Sequence, residues 1–242
     1  MRDGEATMDD LELIERVRKC RLADLGDGMD AIGLIDAGTM SPEMRPIRPG
    51  IRFAGYAYTV KLAKAKKPVK PCRTVEEYGA ELGAWCADTY AFCAGLGEGK
   101  ARDKVVVVDM GGYPGGLWGS EIGMNMMKNG LAGVVLDGTC RDSHECNIEG
   151  VRAFCTKRSF NHVYGRLVNA GVNVPVECAG VTVHPGDVVC ADDDGVLVIP
   201  RDRVEEVLVF AEHILREDQK ARAKHYRDLG LAPDETLGDQ KW

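Results

Sequence analysis

Nothing in the sequence approaches the roughly 20 consecutive apolar residues that a membrane-crossing helix needs. The opening residues, Met1-Arg2-Asp3-Gly4-Glu5, are polar and acidic and hold no apolar signal segment. The expected location is therefore cytoplasmic, without membrane association. There is no excess of basic charge: 31 Lys and Arg stand against 38 Asp and Glu, a net charge of −7, which argues against a general nucleic-acid-binding role. There is no C-x-x-C pair. The nine cysteines are odd in number and scattered, which reads as reduced thiols and argues against a zinc site or a disulfide framework. Internal repeats and low-complexity segments are absent too.

What is present is an ordinary globular balance. Of 242 residues, 45% are hydrophobic and 29% charged, enough for one large domain with a core that needs no covalent staples. The 29 glycines are many, and they gather at turn-like junctions. Residues 1–8 read as a flexible N-terminus, 9–226 as a single domain and 227–242 as a polar tail.

Leu11, Ile14 and Val17 recur at helical spacing and predict a helix over about 9–21, with a second short helix from Asp27 to Ile32. Phe53–Val60 reads as a strand. The basic stretch Lys61, Lys64, Lys66, Lys67, Lys70 and Arg73 is broken by Pro68 and Pro71 and reads as a loop, either solvated or closing over an anionic substrate. Thr74-Val75-Glu76-Glu77 has the form of a capping box. Behind it Val75, Tyr78, Leu82, Trp85, Thr89 and Phe92 form one face of a long helix ending near Gly95, a stripe that suits core or subunit interface. Val105–Asp109 and Gly133–Asp137 are continuous β-branched runs, the pattern of buried parallel strands. A helix from Glu121 to Lys128 lies between them and stops at Asn129-Gly130. Val151–Cys155 is a further strand. Short strands at 174–177, 181–184, 187–190 and 196–199 predict a β-meander, and a last helix starts near Asp202. A βαβ part joined to a strand-rich part argues for a layered α/β domain.

The chemistry gathers after the second valine-rich strand, in Arg141-Asp142-Ser143-His144-Glu145, with the glycine-rich stretch Gly111–Gly119 upstream. Ligands collect at the C-terminal ends of strands in open α/β sheets. A guanidinium clamps a carboxylate in bidentate fashion, and a neighbouring carboxylate suits Mg2+ or Mn2+, which prefer oxygen ligands and keep several waters. Together these suit a small anionic 2-oxo acid. The glycine stretch is a simple turn or a cradle of backbone N–H groups at a helix start. The alternative for Arg141 and Asp142 is a structural ion pair, for Glu145 and His144 a solvated surface, and for Cys140 and Cys146 small buried thiols with no redox role.

In its ordered series of motifs the sequence resembles the RraA-like family, which includes class II aldolases acting on 4-hydroxy-4-methyl-2-oxoglutarate and 4-carboxy-4-hydroxy-2-oxoadipate, and regulators of ribonuclease E activity. The series runs Phe53-Ala54-Gly55, Val106–Asp109 with the glycine loop, Trp118-Gly119, Lys128-Asn129-Gly130, Gly133–Gly138, Arg141–Glu145, His184–Asp187 and Asp192–Pro200. The resemblance runs from about Ala23 to Leu215, with a longer than usual segment between Lys61 and Lys104. It implies a three-layer β/β/α sandwich of the swivelling type, assembled as a homotrimer or hexamer with the site between subunits. It further implies a metal at Asp142 with Glu145. Arg141 binds the carboxylate or ketone oxygen and supports an enolate. Gly119, Ser120, Glu121 and Ile122 bind substrate, the peptide N–H groups of Glu121 and Ile122 holding its carboxylate. Glu121 or Glu145 orients a metal-associated water that relays protons. The implied reaction is cleavage of a 4-hydroxy-2-oxo acid to pyruvate, with oxaloacetate decarboxylation as a side activity. The alternatives are a lyase or isomerase for another hydroxy-oxo acid, or a non-enzymatic regulator of ribonuclease activity; an inhibitor has no need of Arg-Asp-x-x-Glu. Asp27 lies in the early helix that the resemblance brings toward the site region. One departure stands out. Active aldolases of the family carry an aspartate about twenty residues before the Arg-Asp pair, where this sequence has Ser120. Glu121 substitutes for it, or Ser120 caps the helix.

Overall fold

A computed structural model describes residues 8–238. In chain order the elements are α1 (Met8–Lys19), α2 (Leu22–Ala31), β1 (Arg45–Pro46), β2 (Phe53–Lys64), α3 (Val75–Thr89), β3 (Lys104–Asp109), β4 (Gly116–Trp118), α4 (Ser120–Lys128), β5 (Gly133–Cys140), α5 (Ser143–Glu149), β6 (Ala153–Arg158), β7 (Leu167–Val172), β8 (Val176–Cys178), β9 (Val181–Val183), β10 (Val188–Asp192), β11 (Gly195–Ile199) and α6 (Val204–Leu229). The expectation for residues 1–8 falls, apart from Met8, outside the described residues.

Nine strands make one mixed sheet in the order β1-β6-β5-β3-β2-β10-β11, with β4 added on β5 and β7 on β2. The strands β6, β5, β3 and β2 run parallel, whereas β10 and β11 are antiparallel additions. The sheet curls until its ends, β1 and β11, meet. One face carries α1, α2 and α6, where Ile14, Val17, Leu25, Val204, Val207 and Leu208 close over Ala54, Val188 and Cys190. The hairpin β8–β9 packs on the sheet through β2 and β3. This is the helix, sheet and second-sheet layering that the family resemblance implies. The valine runs sit at its centre: Val105–Val108 and Val134–Leu136 have no solvent exposure, as strands covered on both faces require.

Several elements differ from the sequence expectation, each for a physical reason. The strand β2 continues through Lys61 to Lys64, because β7, which was not anticipated, pairs with that part. Leu62 is buried there while Lys61 and Lys64 face out, so only residues after Lys64 form the basic loop. Helix α2 starts at Leu22, five residues before Asp27, since the buried Asp24 carboxylate accepts from the Arg21 amide at 2.9 Å and from its guanidinium, tying down the first turn there. The expected meander is two hairpins in different sheets, β8–β9 and β10–β11. Helix α3 ends at Thr89 and a 3-10 turn, Ala91–Leu96, follows. Only half of its capping box is present: Thr74 Oγ1 accepts from the Glu77 amide at 3.1 Å, and the Glu77 carboxylate accepts from Arg73 N rather than Thr74 N. The apolar stripe expected on one helix therefore spans both elements and grades from Phe92, 1% exposed in the 3-10 turn, to Val75, 81% exposed at the start of α3. Helix α6 runs to Leu229, and residues 234–238 fold back on it through Gln219, Arg222 and Tyr226. Among the described residues no helix is long and apolar enough to cross a membrane.

Candidate active site

The site is built where β5 ends. Cys140 is the last strand residue, Arg141 follows, and Asp142 turns the chain into α5 with φ 55° and ψ 40°, the left-handed region that Asp and Asn tolerate best. β4 lies beside this end, and Arg141 N donates to Trp118 O at 2.9 Å. Directly after β4, Gly119 leads into α4, so the first turn of that helix faces the Arg-Asp pair.

Two glycines make this approach possible. A Cβ on Gly116 would stand 2.8 Å from Arg141 Cβ, so the arginine stem lies flat on bare backbone. A Cβ on Gly119 would overlap the Asp142 carboxylate. With no side chain there, Asp142 Oδ2 accepts from Ser120 N at 3.3 Å and lies 3.8 Å from Arg141 Nε. Gly119→Ala is accordingly expected to push the Asp142 carboxylate off the α4 terminus. For a divalent ion held by Asp142, as the sequence leads one to expect, calorimetric titration should show magnesium affinity reduced by about tenfold or more, with melting temperature moved by no more than a few degrees; unchanged affinity would mean that Asp142 needs no such approach.

The sequence-predicted residues Gly119, Ser120, Arg141 and Asp142 are thus brought into one contact group. Glu121 and Ile122 occupy the first turn of α4, where amides have no helical acceptor and the dipole favours anions. The Glu121 side chain is exposed. Glu145 is exposed in the first turn of α5, as is His144. Cys140 and Cys146 are buried, and both thiols donate to Arg141 O, at 3.4 and 3.6 Å. Asp27 is exposed on α2, which packs against α6, β10 and β11. Lys70 and Arg73 line an open cavity of about 560 Å3 with Tyr78 and Tyr164.

Sequence reasoning missed three residues. Glu149, at the end of α5, accepts from Ser120 Oγ at 2.8 Å. It stands four residues beyond Glu145 and seven beyond Asp142, so helical spacing was the available signal. Tyr90 and His162 were the others, and no local pattern marks them. Tyr90 donates to Leu117 O at 2.8 Å, and its oxygen is 3.1 Å from His162 Nε2. His162 Nδ1 accepts from Tyr164 N at 3.2 Å. These partners fix one neutral tautomer: Nδ1 is the acceptor, so Nε2–H donates to Tyr90, which donates to Leu117. The two rings stack at 6.2 Å and belong to a continuous aromatic series with Trp85, Tyr164 and Tyr78 that docks α3. Tyr90 therefore holds β4 from one side and Arg141 hydrogen-bonds it from the other.

Burial, then the charges of Arg141 and Arg166, push the His162 ring down to about 4. The folded value lies below the unfolded one of 6.5, so between those pH values the unfolded chain binds a proton that the folded chain does not. Stability is expected to fall as pH drops through that window and to be unaffected by His162 above it. Thermal melts of the parent and of His162→Gln should converge toward the acid end. A pH slope identical in both proteins would assign the loss elsewhere.

A hard divalent cation fits this donor set through a single carboxylate. Asp142 Oδ2 is oriented by the Ser120 amide, while Oδ1 has no hydrogen-bond donor among the described residues. Mg2+ keeps most of its waters and takes one or two carboxylates plus substrate oxygens. Among the described residues no three His, Cys, Asp or Glu side chains converge into a group that could hold a metal ion.

A family model described as RraA-like, Aldolase/RraA, matches residues 22–198. Protein DlpA of Legionella pneumophila is 27% identical over 233 residues, 95% of this chain and 34% of that protein, so the chain spans about a third of this relative's length. A protein of Halalkalibacterium halodurans named "Putative 4-hydroxy-4-methyl-2-oxoglutarate aldolase" is 32% identical over 166 residues, 68% of this chain and 74% of that one. Among solved structures, Streptomyces coelicolor RraAS2, an unusual member of the RNase ES inhibitor RraA protein family, superposes with a TM-score of 0.72 at 24% identity, covering 90% of this chain and 98% of that chain. At that identity the likeness establishes the fold. Sequence match and fold agree: the chain belongs to the RraA-like family.

Proposed function

We propose that the protein is a divalent-metal-dependent lyase that cleaves a 4-hydroxy-2-oxo acid to pyruvate, with oxaloacetate decarboxylation through the same enolate. One observation carries this reading: Arg141 and Asp142 leave β5 side by side and face the open first turn of α4 across side-chain-free Gly119. A substrate carboxylate takes the amides of Glu121 and Ile122, where the helix terminus favours an anion. The guanidinium of Arg141 lies beside the 2-oxo oxygen and supports negative charge as it develops. Asp142 would hold a Mg2+ or Mn2+ ion with the substrate oxygens, with Glu145 one turn away on α5. Such an ion supplies Lewis-acid stabilisation of the enolate. His162, held neutral, adds no positive charge beside Arg141. Relatives named for 4-hydroxy-4-methyl-2-oxoglutarate cleavage support the reaction class. A homotrimer or hexamer fits the reading too, since Val75 and Tyr78 of α3 remain exposed in the single chain.

The test is pyruvate release from a panel of 4-hydroxy-2-oxo acids and oxaloacetate. Release from at least one hydroxy-oxo acid, with slower release from oxaloacetate, is the expected result. No pyruvate from any of them would overturn the assignment.

A further inference from the structure

Cleavage of a 4-hydroxy-2-oxo acid needs a group that takes the 4-hydroxyl proton and later returns one to the enolate carbon. We propose that Ser120 and Glu149 are that relay, Ser120 touching the substrate and Glu149 holding the proton behind it; this rests on the lyase reading. Ser120 joins the two carboxylates of the site: its amide donates to Asp142 Oδ2 at 3.3 Å and its hydroxyl to Glu149 Oε1 at 2.8 Å. A serine hydroxyl donates one hydrogen bond and accepts two. With its proton committed to Glu149, Ser120 Oγ offers lone pairs toward the α4 terminus, where the substrate sits.

Glu149 is the carboxylate onto which the Ser120 hydroxyl points. Among the described residues no cation pairs with it, whereas Asp142 has Arg141 beside it. Among the described residues its second oxygen, Oε2, is buried without a hydrogen-bond partner, and the Ser120 hydroxyl is the group of the site that Glu149 meets. Glu121 and Glu145 have exposed side chains, and neither forms a hydrogen bond to Ser120. Gly150, with φ 75°, ends α5 directly after Glu149 and fixes where its side chain starts.

The 4-hydroxyl proton passes to Ser120 Oγ while the Ser120 proton passes to Glu149 Oε1. The O–H electron pair becomes the new C4=O bond, the C3–C4 bond breaks, and its pair forms the pyruvate enolate. Glu149 then returns its proton through Ser120 to C3, giving pyruvate and regenerating both side chains.

A purely structural tether between α5 and α4 makes a different prediction. Glu149→Gln keeps an Oε1 acceptor for Ser120 and removes the capacity to take the proton. The measurement is exchange of pyruvate methyl protons with D2O in the presence of Mg2+, followed by NMR, beside calorimetric binding of oxalate, which mimics the enolate. Glu149→Gln and Ser120→Ala are each expected to slow exchange by about a hundredfold or more, the scale of general acid–base catalysis. Oxalate affinity should stay within about twofold, because binding and proton transfer are separate contributions. Glu149→Asp should recover part of the exchange. Parent-like exchange in Glu149→Gln, or parallel losses of oxalate binding and exchange, would overturn the relay while leaving the lyase reading standing. A parent protein that neither binds oxalate nor exchanges pyruvate protons would overturn both.

Discussion

Arg141→Ala is expected to lower turnover by about 10²–10³-fold, the loss of about 2.7–4 kcal/mol that follows removal of one donor aimed at a developing oxyanion. The same substitution should barely alter stability. The Arg141 side chain is 35% exposed and its ion-pair distance to Asp142 is 3.8 Å, a geometry worth about 0–1 kcal/mol. Its backbone tie, Arg141 N to Trp118 O, survives the change. Arg141→Lys should recover only part of the activity, since an ammonium is a point charge and cannot form the planar fork. Steady-state kinetics beside thermal melts decide the matter. A melting temperature that falls in step with turnover would make Arg141 a structural ion-pair partner instead.

Asp142→Asn is expected to be as severe, and it isolates charge from shape. Asparagine tolerates the left-handed backbone at this position and can still accept from Ser120 N, so α5 should keep its start and the fold its stability. What disappears is the carboxylate charge that a hard cation requires. Turnover should fall by an amount on the order of several kcal/mol in barrier height, with magnesium affinity falling alongside it. Retained magnesium binding in Asp142→Asn would move the metal to another group.

How much of this was legible beforehand follows from the range of the interactions. The valine runs of β3 and β5 signal buried parallel strands by local pattern alone, and Asn129-Gly130 marks the end of α4 in the same way. Arg141 and Asp142 were legible because strand, turn and motif are contiguous. The basic stretch after Val60 begins as strand rather than loop, and six cationic residues say nothing about a partner strand, β7, that lies over a hundred residues away. Tyr90 and His162 were invisible for a related reason: they meet only when α3 docks on the 161–164 segment, and neither has a neighbour in sequence that betrays its role. Glu149 was an intermediate case. Its helical spacing from Asp142 and Glu145 was present in the sequence, but the hydroxyl it receives comes from Ser120, across the junction of two helices.

In the proposed reaction, pyruvate formation depends on a divalent cation held at Asp142. The most direct measurement is pyruvate release from the best 4-hydroxy-2-oxo acid before EDTA treatment, after it, and after magnesium or manganese is added back. Activity should vanish with the chelator and return with the ion. Undiminished pyruvate release from metal-free protein would contradict it.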